Sequence, residues 1–178
     1  MKKIILVYGL FAGAIVGTML MITMPLYESG TLHFENGEWL GYITMVVALS
    51  LVFFGIKSYR DHHSGGKITF WSGLKVGLLI TLVASLIYAL SWEITYSTMK
   101  GDFLKQMNEK SMEKMKKEGA SAVSLQETQK QMDDFAAMYR NPVFRFAITL
   151  MEIAPVGIVI SLLSAGLLRR KEFLPPTT

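Results

Sequence analysis

Residues 143–168 read VFRFAITLMEIAPVGIVISLLSAGLL, a run in which Arg145 and Glu152 are the sole charges and no face is polar. A helix on the surface of a water-soluble protein needs a polar stripe, and this run has none. Three further runs of the same kind, Ile4–Met24, Trp39–Ile56 and Gly73–Tyr96, bring the total to half of the 178-residue chain. Of 18 basic and 14 acidic residues, only Lys75 and Glu93 join Arg145 and Glu152 inside them. That segregation excludes a soluble globule, a disordered chain and a soluble enzyme fold. Runs of 18 to 26 residues make helices of roughly 27–39 Å, against a hydrocarbon core of about 30 Å. Backbone in lipid must satisfy its own hydrogen bonds, so helix is the expected form. The expected fold class is an all-α integral membrane protein, a bundle of four transmembrane helices at 4–24, 39–56, 73–96 and 143–168. Residues 1–178 form a single membrane domain in this reading, with an insertion at 97–142.

The start, Met1-Lys2-Lys3 before an apolar run, looks like a secretory signal. The run is longer than an h-region of about 7–15 residues, and Met21-Ile22-Thr23-Met24-Pro25 offers no small-x-small cleavage site, so the segment is expected to stay as the first span. Orientation follows lysine and arginine in the connections. Lys2 and Lys3, then Lys57, Arg60 and Lys67, then Arg169, Arg170 and Lys171 fall at one end of the spans, while Pro25–Glu38 has three glutamates and no basic residue. Both termini and the second connection are therefore expected on the cytoplasmic side. The long connection Ser97–Pro142 holds eight basic and seven acidic residues, and long loops cross with little regard to charge. The net charge of +4 fits basic residues beside anionic headgroups better than nucleic-acid binding. There are no cysteines, so neither disulfides nor thiolate chemistry enter.

The 97–142 insertion is expected to be an extracytoplasmic helical hairpin between the third and fourth spans. Met99–Lys117 is rich in good helix formers, and Gly119-Ala120-Ser121 breaks the pattern. Ser124-Leu125-Gln126-Glu127 reads as a capping box, followed by a seam of Leu125, Thr128, Met132, Phe135 and Tyr139 suited to one partner helix. Asn141-Pro142 supplies an N-cap and a first-turn proline for the fourth span. The methionine-rich face can close on itself or receive a protein partner. Trp39, Tyr42, Trp71 and Trp92 are expected as interfacial anchors. His33 and the His62-His63 pair lack metal-ligand spacing, and neither a metal nor a cofactor is expected.

Lipid gives helices no hydrophobic reason to associate, so small residues must let backbones approach. Gly9, Gly13 and Gly17 recur every fourth residue in the first span, Gly73 and Gly77 open the third, and Gly157, Ser161 and Ala165 line the fourth. The first of these ridges has two possible uses, contact within one chain or a homo-oligomer face. An ionisable group inside a span marks a candidate site. Arg145 stands seven residues before Glu152, nearly two turns and so on one face, and is expected to pair with Glu93, Glu152 or both. Pro155 leaves the Met151 carbonyl without its donor, which kinks the helix one turn beyond Glu152. That carbonyl and carboxylate suit a proton, a cation or water; the plainer use of Glu152 is as a buried structural residue.

The stretches Glu38–Met45 and Ala48–Asp61, Gly66-Lys67-Ile68-Thr69-Phe70 leading to Lys75-Val76-Gly77, and Met151–Gly157 together resemble a bacterial family of small four-span membrane proteins of unknown function (the DUF4199 type), found mainly in Bacteroidota. The resemblance covers all but the hairpin and implies a cytoplasmic-membrane address and no known activity. Ser/His, HExxH and Asp-pair spacings at a common depth are missing, so an enzyme is not expected. A structural or accessory protein that binds a partner through 97–142 is the preferred reading. Proton or cation handling by Glu152 and Glu93 is the alternative.

Overall fold

The computed structural model describes residues 1–28, 34–99, 103–170 and 173–174. The described chain forms six helices: α1 (Lys2–Glu28), α2 (Phe34–His63), α3 (Phe70–Thr98), α4 (Phe103–Lys117), α5 (Ala122–Tyr139) and α6 (Pro142–Leu168). Four of them, α1, α2, α3 and α6, are long and apolar enough to cross a membrane. They close into a ring in which α1 packs on α3, α3 on α6, α6 on α2 and α2 on α1, with α2 also reaching α3 across the middle. Large apolar side chains such as Phe11, Val47, Leu90, Met151 and Leu163 point outward, where lipid replaces water.

Two seams of small residues hold the ring. Along α3 and α6, which run antiparallel, Gly73 faces Ala165, Gly77 faces Ser161, and Gly157 faces Thr81. Each four-residue step up α3 meets a four-residue step down α6, the spacing that keeps one face of each helix in line. The Thr81 and Ser161 hydroxyls lie 3.3 Å apart in this seam. Along α1, Gly9 lies against Ile80 and Val83, Gly13 against Ala84 and Ile87, and Gly17 against Ser91. The first-span glycine ridge is thus occupied by α3 of the same chain.

Several helix ends differ from expectation. α1 runs through Pro25 to Glu28, because a proline near the end removes only one ladder bond. α2 continues through the polar stretch Lys57–His63, where Lys57 and Asp61 form an i,i+4 ion pair at 2.7 Å of the kind that supports helix. Gly65 and Gly66, at φ 61 and 77, then turn the chain. Within that last turn the His62 ring faces the Ser58 carbonyl and His63 stacks on Tyr59; His33 lies outside the described residues. The expected capping box at Ser124 is displaced by one turn. Ser121 is the N-cap of α5, accepting from the Ser124 amide, because the turn at Gly119 (φ 80) delivers Ser121 first. Asn141 caps α6 through Val143 N at 2.9 Å, with Pro142 in the first turn. Pro155 remains inside one continuous helix.

Candidate functional site

Stepping up the α3–α6 seam by fours from Thr81 and Gly157 passes Ser85 and Ile153, then Ala89 and Thr149, all buried, and arrives at Glu93 and Arg145. The packing register that serves the glycines therefore sets the two charges level with each other. Arg145 Nε donates to Glu93 Oε1 at 2.9 Å and Nη2 donates to Oε2, the two-point pairing that suits a planar guanidinium. Its Nη1 donates to the Tyr139 carbonyl at 3.2 Å, and the guanidinium lies over the Tyr96 ring, 4.1 Å from the centroid. Arg145 is 8% exposed. Standing in the first turn of α6, it meets the positive helix end, which makes the Glu93 carboxylate and the ring faces the more necessary.

Tyr139 couples this pair to the hairpin. It is the last residue of α5 and is buried, its hydroxyl accepts from Trp92 Nε1 at 2.7 Å, and its ring meets Phe135 and Tyr96. Trp92 is consequently an interior residue at 6% exposure, whereas Trp39 and Trp71 are mostly exposed as interfacial anchors would be. The Trp92 N–H has a buried acceptor and so has no need of water or headgroups. Burial pushes the Tyr139 phenol from its ordinary 10.0 up to about 12, against the opposing pull of the Trp92 hydrogen bond and the Arg145 charge. A raised acid favours the folded state in its protonated form, so this contribution is complete below pH 10.0 and lost as pH rises through about 12. In detergent, wild type should lose thermal stability in that window that Tyr139→Phe retains; equal losses would contradict the assignment.

Glu152 takes no part in the ion pair. Seven residues of helix separate it from Arg145 by roughly 10 Å along the axis, beyond hydrogen-bond reach, while Glu93 is level with the arginine. Glu152 is exposed instead, on the wall of a cavity of about 420 Å³ near the hairpin end of the bundle. Val16, Leu20, Thr23, Met45, Tyr88 and Met107 are among the residues that line it. Tyr88 and Glu152 share the lining of this cavity. Sequence reasoning missed Tyr88, whose one available signal was a polar tip on an otherwise apolar span.

A second latch closes the other end. Arg60, expected to face headgroups, is 1% exposed. Its Nη1 and Nη2 donate to the carbonyls of Phe173 and Leu174, and its Nε to Asp61, while Phe173 sets its ring edge-on to Phe53. Nothing in the local sequence announces a partner so distant along the chain. Among the described residues no group of three or more histidines and acids could hold a metal ion.

Four membrane-crossing helices, tied by small-residue seams and the Arg145–Glu93 ion pair, define a multi-pass helical-bundle membrane protein with a hairpin rooted on one end. Residues 7–170 match the family described as "Protein of unknown function (DUF4199)". The chain belongs to that family. No curated protein and no solved structure matches it.

Proposed function

We propose that the protein is a non-catalytic accessory component of the bacterial cytoplasmic membrane, with both termini inside and the α4–α5 hairpin outside as a docking surface for a protein partner. The observation that carries this reading is the contrast between the hairpin's root and its body. The root is fixed by Arg145, Tyr139 and Trp92 and by buried Leu104, so the hairpin leaves the bundle in a set direction. Its body is open: a cleft of about 650 Å³ between α4 and α5 is lined by charged residues and by Met112 and Met132. Methionine-lined clefts suit adaptable partners. Asn108, also on that cleft, has a buried side-chain oxygen without a hydrogen-bond partner, an acceptor that an incoming donor would satisfy. The seam from Leu125 to Tyr139 is the more covered face of α5. The test replaces residues 109–131 with a short glycine–serine linker, which keeps Leu104, Met107 and Tyr139 in place. Proteins cross-linked in cells through a photoreactive side chain at position 133, on the cleft wall, should be lost. An unchanged set of cross-linked partners would contradict the reading.

The alternative, proton or cation handling, narrows to Glu152. Glu93 is neutralised by Arg145, whereas Glu152 lies exposed on the wall of a cavity. Flux of protons or sodium into proteoliposomes that is identical in wild type and Glu152→Gln would dispose of it.

A further inference from the structure

The Glu152 cavity has an unusual composition for a membrane interior. Counting from Pro142, Glu152 lies about 15 Å along α6, deep enough that an ionised side chain is costly without a counter-charge. Among the described residues no lysine or arginine lines the cavity, and the guanidinium of Arg145 is engaged by Glu93. Two threonines on its wall lean the same way. Thr23 donates its hydroxyl hydrogen to the Leu20 carbonyl and Thr44 to the Leu40 carbonyl, so both turn lone pairs outward rather than donors. The walls between them are aliphatic and thioether side chains, among them Val16, Leu20, Met24 and Met45. Among the described residues the lining sets one carboxylate, Glu152, amid mostly aliphatic, thioether and aromatic walls. Such a surface suits a cation carrying its own apolar body better than a bare inorganic ion, which needs several oxygen or nitrogen ligands converging on one point. Its volume of about 420 Å³ is within the ~300–1,000 Å³ typical of small-molecule sites. Tyr42, at its margin, is exposed on the bundle surface, so the entrance is on the lipid-facing side.

We propose that this cavity binds amphipathic organic cations, a protonated amine or an onium group on an apolar body, taken up from the surrounding leaflet, with Glu152 as counter-charge and Tyr88 and Tyr42 offering ring faces. The apolar body displaces lipid chains against the methionine walls, which adapt to irregular shapes. The proposal deepens the cation reading of Glu152 and rests on it for the charge state of that residue; it is independent of the hairpin's role.

The full chain in lipid nanodiscs, with protein-free nanodiscs as background, is titrated with tetraphenylphosphonium by equilibrium dialysis. Saturable binding is expected. Glu152→Gln should weaken it by roughly tenfold or more, as removal of one member of a desolvated charge pair does, while Glu152→Asp keeps most of it. A neutral probe of similar shape, triphenylphosphine oxide, should neither bind saturably nor compete. Met45→Trp, which fills the cavity and leaves the carboxylate in place, should also reduce binding and serves as the second variant if Glu152→Gln does not fold. Equal affinity in wild type, Glu152→Gln and Met45→Trp overturns the site, and equal competition by the neutral probe overturns the role of charge. Glu152-dependent binding without Glu152-dependent flux leaves this site standing and removes the transport reading.

Discussion

Arg145→Met should destabilise the protein by about 3 kcal/mol, the lower end of the cost of leaving one member of a buried ion pair alone. The lower end applies because the Glu93 side chain keeps 23% of its exposure. Three things go at once: the two-point bond to Glu93, the bond to the Tyr139 carbonyl and the cover over the Tyr96 ring. The carboxylate left behind has no other basic side chain bonded to it among the described residues. The damage should be directional. Amide exchange at the end of α5 should rise well before exchange in the α1–α3 seam, because Tyr139 is where the hairpin is fastened. Arg145→Met combined with Glu93→Gln should recover most of the loss, since a neutral amide tolerates the site better than an unpaired charge. Unfolding of wild type, both single variants and the double variant in mixed micelles forms the cycle. A single variant within about 0.5 kcal/mol of wild type, the span of an ordinary surface change, would show that the pair does not fasten the hairpin.

Gly157 is expected to be as sensitive for a steric reason. A Cβ there would lie 2.1 Å from Thr81 Cγ2 and 2.8 Å from Thr81 Oγ1, far inside contact distance. Neither helix can withdraw locally, because Gly77 against Ser161 and Gly73 against Ala165 hold the same seam shut. Gly157→Ala should cost about 2 kcal/mol, typical of an overpacked contact, and Gly157→Leu should prevent the α3–α6 contact from forming. Removing the obstruction tests the cause: Thr81→Gly should rescue much of Gly157→Ala. Gly166 is the control on the same helix, with nothing within 4 Å of an added Cβ. Gly166→Ala should be neutral or slightly stabilising, as alanine is the better helix former. If Gly166→Ala and Gly157→Ala were equally harmful, close packing would not be the reason.

The four spans were legible because lipid demands uninterrupted apolar length, and length is visible along a chain. Small residues every fourth position were visible too, but which helix each ridge meets was not. Gly9, Gly13 and Gly17 would serve α3 or a second chain equally well as a pattern, and only the ring order places α3 against them. The pairing of Arg145 with Glu93, with Glu152 or with both was left open by the pattern, and the register of the glycine seam decides for Glu93. The overrun of α2 turned on the Lys57–Asp61 bridge, a local signal that was overlooked beside the charge count. Arg60 was beyond reach, because its carbonyl partners at Phe173 and Leu174 are backbone atoms with no side-chain signature. Trp92 shows the same limit: an indole suits an interface or an interior equally until its N–H finds an acceptor.

The account depends on four crossings, and the absence of cysteine from the chain makes that directly measurable. Single cysteines are introduced by Glu118→Cys at the hairpin tip, Ser64→Cys between α2 and α3, and Thr178→Cys at the end. Each is exposed in whole cells to a membrane-impermeant maleimide before and after permeabilisation. Labelling at 118 in intact cells, with 64 and 178 reacting only once the membrane is opened, is the expected result. Labelling of 118 and 178 from the same side would contradict the four-span bundle.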